Sequence, residues 1–311
     1  MEETNPQRIV DAHVHWWDLE ANYYPWLSDK KPEEGGLSSA GALAKTYLPK
    51  HYLEDARGFR IVGAVHVQAN WDPADPVGET RWLQQLADSD VGDGMPQGVV
   101  AFADLSNPEV DALLEAHARF RSTRSIRHML NYIPDNPALC WADQDYLDNP
   151  AWVANFPRLG RYGLGFDLMC FSNQMQRMAV LARDNPGIPI YLEHAGMPHD
   201  HSVEGVAQWR EGMRALAEAP NVVCKISGLG STIPNWTEEI VRPYVLDAIE
   251  IFGCDRCMFA SNFPTDSQFS SMKAIWDAFF SITSGFSDDE RDKLFAANAI
   301  RHYRLPIGSQ Q

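Results

Sequence analysis

The chain has 311 residues, 45% hydrophobic and 22% charged, enough apolar surface for a sizeable core, which excludes collagen-like, coiled-coil and natively unfolded classes. Its 42 acidic and 26 basic side chains leave a formal charge of -16, so phosphate backbones and anionic membrane surfaces would be repelled. The N-terminus MEETNPQR shows no apolar leader pattern, and no later stretch approaches the ~20 apolar residues of a bilayer span. A cytoplasmic protein that binds neither nucleic acid nor membrane is expected.

The first apolar run, Ile9 to His15, contains Asp11-Ala12-His13-Val14-His15. Alternate strand residues share a face, so Asp11, His13 and His15 are predicted to point together, with both imidazoles at the C-terminal end and able to converge on one cation. A long connection, 16 to 59, follows; its Trp16, Trp17, Tyr23, Tyr24, Trp26 and Tyr47 suit either a lid or a satellite core. The second run, Ile61 to Ala69, alternates His66, Gln68 and Asn70. The third is Val99 to Leu105, and Asn107 to Arg121 reads as a helix with Asn107 as cap and Pro108 in the first turn.

The fourth run, Ser125 to Leu130, offers Arg127 to a substrate carboxylate or to a structural ion pair, with His128 on the opposite face. A second long connection, 131 to 163, carries Tyr132, Trp141, Tyr146 and Trp152. The later runs are Leu164 to Phe171, Ile188 to His194, Val222 to Ser227 and Cys257 to Asn262, with helices expected at Ser172 to Asp184, Val203 to Ala219, Glu238 to Phe252 and Ser270 to Thr283. The sixth run ends in Glu193-His194-Ala195-Gly196, a third imidazole at the same rim. Lys225 in the seventh either faces the pocket or snorkels outward.

Eight apolar strands alternating with helices over ~300 residues predict one closed (β/α)8 TIM barrel domain, distorted by long loops after strands one and four, with its site at the C-terminal mouth. The five cysteines are an odd number in apolar surroundings, which suits a reducing compartment, and Cys254-Asp255-Arg256-Cys257 has no second pair with which to hold zinc. His199-Asp200-His201 repeats the HxH spacing but follows Pro198 in a loop, where no strand orients the rings.

DAHVH at 11 to 15, YLEHAGMP at 191 to 198, FASNFPTD at 259 to 266 and ANAIRHYRL at 297 to 305 resemble the amidohydrolase superfamily, in particular its lactonase-like branch, which includes sugar-lactone and pyrone-dicarboxylate lactonases. The resemblance implies that His13, His15 and His194 occupy metal-ligand or catalytic positions. The implied cofactor is a divalent metal, zinc first and manganese as the alternative, although some lactonase relatives are understood to work without metal. The family commonly ends its last strand with Ser-Asp-x-Pro, whereas this chain has Ser261-Asn262-Phe263-Pro264. An amide ligates or orients but does not titrate, so Asn262 is no general base, and Asp266, Glu193, His66 and His128 become the substitutes.

The expected chemistry is opening of a small anionic or sugar lactone, with His194, Asn262 and Asp266 at the reacting centre and His66, Gln68, Arg127 and Lys225 lining the substrate. Metal-dependent non-oxidative decarboxylation and a binding-only barrel weakened at Asn262 are the alternatives. Oligomeric state is left open, a homo-oligomer included.

Overall fold

The computed structural model of the protein describes residues 7–29, 40–233 and 235–308; most of the N-terminal MEETNPQR segment lies outside them. Eight parallel strands form one sheet in sequence order, β1 (Arg8–Val14), β2 (Arg60–Val67), β3 (Gly98–Phe102), β4 (Thr123–Met129), β5 (Gly165–Met169), β6 (Ile190–Leu192), β7 (Val222–Ile226) and β8 (Cys257–Phe259). The sheet closes just beyond the last strand. His15 N donates to Phe263 O at 2.8 Å, Asn262 N donates to His13 O at 2.9 Å, and Val14 bridges Phe263 in parallel. This is the (β/α)8 barrel that the eight apolar runs predict.

The helices at Ser172–Asp184 and Glu238–Phe252 have the expected ends, whereas the one after β3 is confined to Val110–Ala118. Its predicted start forms a turn instead, because the Asn107 side chain accepts from Glu109 N at 2.8 Å and its carbonyl accepts from Val110 N. β6 and β8 stop short of His194 and Asn262 because both residues leave the strand in the left-handed region, at φ 54° and 56°.

Two apolar layers position the mouth. Val10, Ala12, Val65, Val67, Val100, Tyr191, Val223, Met258 and Ala260 fill the barrel, and the C-terminal Tyr303 and Leu305 join them. Leu305 abuts Gly98, the first residue of β3, so this plug closes the end opposite the mouth. The second layer lies between strands and helices and takes in Trp16, Trp17, Tyr24, Tyr47, Tyr52, Tyr146 and Trp152. Most aromatics of the two long connections are therefore core, and the lid reading is left with the half-buried Tyr132 and with Tyr23 and Trp141, 43% and 46% exposed. No helix among the described residues is long and apolar enough to cross a membrane.

Candidate active site

The register of β1 against β2 decides where the first motif points. Asp11 pairs with Ala64 and Val14 with His66, three steps on one strand against two on the other, so one extra residue bulges from β1 inside the motif. The bulge overturns the expected common face. Val10 and Ala12 fill the barrel ahead of it, whereas Asp11 turns to the helix layer. There it accepts from Tyr52 OH at 3.0 Å and Ser261 N at 2.9 Å, and burial raises its carboxyl to about 6. Beyond the bulge His13 and His15 face the mouth with Nε2 atoms 3.2 Å apart.

The third imidazole arrives from β6. His194 lies with its ring centroid 4.7 Å from that of His13, and its Nδ1 is 3.0 Å from Ser227 Oγ. Its left-handed backbone departs from what a β-carbon prefers, a strain typical of functional turns. Gly228, itself at φ 59°, makes the close approach from β7: a β-carbon there would lie 2.3 Å from His194 Nδ1. The Ser227-Gly228 turn thus seats the imidazole.

Beneath the imidazoles lies a buried ionic layer. Lys225 Nζ donates to Asp167 Oδ1 at 2.5 Å and Glu193 Oε1 at 3.2 Å and sits 3.3 Å from His13 Nδ1, while Arg127 reaches Glu193 Oε2 at 3.3 Å and the Gln68 carbonyl. Lys225 therefore faces inward. Arg127 is engaged with Glu193, while His128 points outward to the Trp152 indole, as opposite parity requires. Burial opposes charge on Glu193, but Lys225 and Arg127 outweigh it and bring its carboxyl down to about 2. Burial first, and then neighbouring cations, lower His13 and His15 far below the usual histidine range; burial takes His194 to about 4 against the pull of Glu193. All three rings are neutral at pH 7, the state in which imidazole offers a lone pair.

Other predicted residues fall elsewhere. Val65 and Val67 turn into the barrel, so His66 lies on the outer face of β2, with Nε2 3.1 Å from the Trp16 carbonyl. That parity removes it from the substrate side. The Gln68 side chain accepts from Asn70 N at 2.7 Å and supports the turn after β2, with its buried Nε2 unpaired. The His199 ring packs tilted against Phe171, and His201 contacts Thr232 O and Tyr244 OH, so that second HxH does not converge. All five cysteines are free. Sequence reasoning missed Asp167 and Tyr303, whose hydroxyl donates to Asp167 at 2.7 Å; the available signal was a lone carboxylate inside the buried strand Gly165–Met169, which has to find partners.

At the seam, Asn262 Nδ2 donates to Asp266 Oδ1 at 2.8 Å, which aims the amide oxygen at His15 Nε2, 3.3 Å away. His15 Nδ1 lies 2.7 Å from the Val67 carbonyl, which only accepts, so Nδ1 carries the hydrogen and Nε2 a lone pair. Asn262 Oδ1 and His13 Nε2 both approach that lone pair, at 3.3 and 3.2 Å. Nitrogens each ~2.1 Å from a tetrahedral zinc stand ~3.4 Å apart, close to the His13–His15 spacing, so these donors fit a divalent ion. Among the described residues, one group of three can gather ligand atoms within 4.8 Å: His13, Glu193 and His194. Lys225 and Arg127 already engage Glu193, and His15, with Nε2 3.2 Å from His13 Nε2, lies outside that group.

Comparisons with known proteins agree with this architecture. The chain is 47% identical over 300 residues to the uncharacterized protein y4mH of Sinorhizobium fredii, covering 96% of this chain and 98% of that one. It is 29% identical over 317 residues to an L-fucono-1,5-lactonase of Burkholderia multivorans, with 96% of each covered. A crystal structure of a Burkholderia multivorans amidohydrolase with bound zinc superposes with a TM-score of 0.76 at 27% identity, over 96% of this chain and 99% of that one. Residues 10–305 match the family Amidohydro_2, described as amidohydrolase, and the chain belongs to that family.

Proposed function

We propose that the protein hydrolyses a lactone at the barrel mouth. One observation carries the reading: the neutral imidazole of His13 has those of His15 and His194 against it, ring centroids 4.9 and 4.7 Å away, with a buried ionic layer behind. The L-fucono-1,5-lactonase relative supports the bond class.

His13, His15 and His194 would hold a divalent ion, zinc by the nitrogen-rich donor set, and such an ion supplies Lewis acidity toward a carbonyl oxygen and lowers the pKa of water. The chain's own residues do the rest. Asn262 presents its amide oxygen to the attacking water and orients it. Of the substitutes for the missing Asp, Glu193 is tied to two cations, and His66 and His128 face outward. Asp266 is left, next to Asn262 and, among the described residues, in no ion pair with a cation, and we assign it the water's proton. Arg127 and Lys225 hold Glu193 and Asp167, which keeps the floor of the site neutral in total while the imidazoles stay uncharged.

Metal analysis of protein purified without chelator, run beside acid release from a panel of lactones, tests this. Hydrolysis with stoichiometric metal supports the reading, and absence of turnover on every lactone refutes it.

A further inference from the structure

The wall facing the imidazoles has a different chemistry. The inward positions of β4 and β5 run Ser125, Arg127, Met129 and Gly165, Asp167, Met169, so the two methionines stand one repeat, ~6.6 Å, closer to the mouth than Arg127 and Asp167 of the ionic layer. Met169, Phe171 and Met197 form a cluster with Met129, Ile133 and Leu139 that is separate from both the barrel filling and the helix layer. It adjoins the reacting centre through the turn after β6, since Met197 N donates to His194 O at 2.9 Å. Asn131 lies beside this wall with its Nδ2 on the Met197 sulfur at 3.3 Å, a weak acceptor, and its buried Oδ1 as the one polar atom left unpaired in this cluster's described surroundings.

We infer that the substrate is a lactone bearing an apolar substituent, alkyl or aryl, rather than a polyhydroxylated sugar lactone; this rests on the lactonase reading above. With its carbonyl at His13, His15 and His194, a ring extends toward thioether and hydrocarbon surface. Hydroxyl groups placed there lose water and find sulfur and methyl groups in return, whereas a hydrocarbon chain meets the flexible, polarizable side chains that adapt best to varied apolar shapes. In the ionic layer one repeat below, Lys225 and Arg127 are held by Asp167 and Glu193, with Arg127 Nε and Asp167 Oδ2 the atoms left unpaired.

The test is kcat/KM of the full-length protein for δ-decalactone, dihydrocoumarin, δ-valerolactone and L-fucono-1,5-lactone, followed by acid release. The apolar lactones are expected to exceed the sugar lactone by about 10²-fold, the discrimination a hydrophobic pocket achieves against added hydroxyls. Met169→Gln should lower the δ-decalactone to δ-valerolactone ratio by about tenfold, the low end of what one methylene is worth in a hydrophobic pocket. Should that buried variant fail to fold, the half-buried Met129→Gln is read in the same way. A sugar lactone turned over as well as the apolar ones, or a ratio unmoved in the folded variant, overturns the inference and leaves the lactonase reading standing. Loss of turnover on all four lactones overturns both.

Discussion

Gly228→Ala probes the seat of His194 with a single added carbon. The backbone at Gly228 is at φ 59°, where a side chain costs roughly 1–2 kcal/mol. The new β-carbon would stand 2.3 Å from His194 Nδ1, whereas ordinary contact begins at 3.4 Å, so the ring has to retreat by about 1.1 Å (3.4 − 2.3). That retreat displaces the ring from its present contacts with Ser227 Oγ and His13. A displacement of ~1 Å at a reacting centre costs on the order of 10²-fold in rate. The variant should therefore lose roughly 10²-fold in kcat/KM while urea unfolding shows a loss of only ~1–2 kcal/mol. Gly187→Ala is the control, because nothing lies within 4 Å of its added carbon and its backbone is outside the left-handed region. Wild-type kcat/KM in a folded Gly228→Ala protein would refute the placement of His194 at the reacting centre.

Asp266→Asn removes the proposed proton acceptor while keeping a hydrogen-bond partner for Asn262, and it is expected to lower kcat by about 10²–10⁴-fold, the usual contribution of a general base, with KM little changed. Steady-state kinetics on the best lactone would show it, and an unchanged kcat removes Asp266 from the mechanism. Lys225→Met leaves Asp167 without its ammonium partner and Glu193 with Arg127 alone, all of them buried; breaking such a pair typically costs ~3–5 kcal/mol, measurable by chemical denaturation. Stability should also fall on the alkaline side. Burial raises Glu79 to about 8, so the folded state holds a proton that the unfolded chain has already released; this stability is complete below about 4.5 and is lost as pH rises through about 8. The neutral buried histidines act oppositely below about 6.5, where the unfolded chain takes up protons that they refuse. A melting-temperature maximum between these limits is expected, and Glu79→Gln, which keeps the acceptor for Ala69 N, should flatten its alkaline limb; an identical limb in the variant removes Glu79 as its cause.

What the sequence made legible follows from periodicity, and what it hid follows from contacts that periodicity does not encode. All eight strands were readable because a parallel barrel strand is apolar on both faces, and Arg127 and His128 sorted correctly because β4 keeps strict alternation in its pairing with β5. The same rule failed at Asp11, because the bulge adds a residue in the middle of the motif, and no local pattern distinguishes a bulged DAHVH from a flat one. Without the bulge, Ala12 facing inward would send His13 outward. The bulge is held by partners remote in sequence: Asp11 accepts from Ser261 N, His13 O from Asn262 N, and Phe263 O from His15 N. These three bonds also close the barrel. Folding the last strand against the first therefore assembles the site in the same step, so His13 and His15 should acquire their common orientation only when β8 docks. Weakening the seam at Asp11, for instance as Asp11→Ala, should then cost activity beyond its cost in stability, because the bonds that close the wall are the bonds that aim the rings.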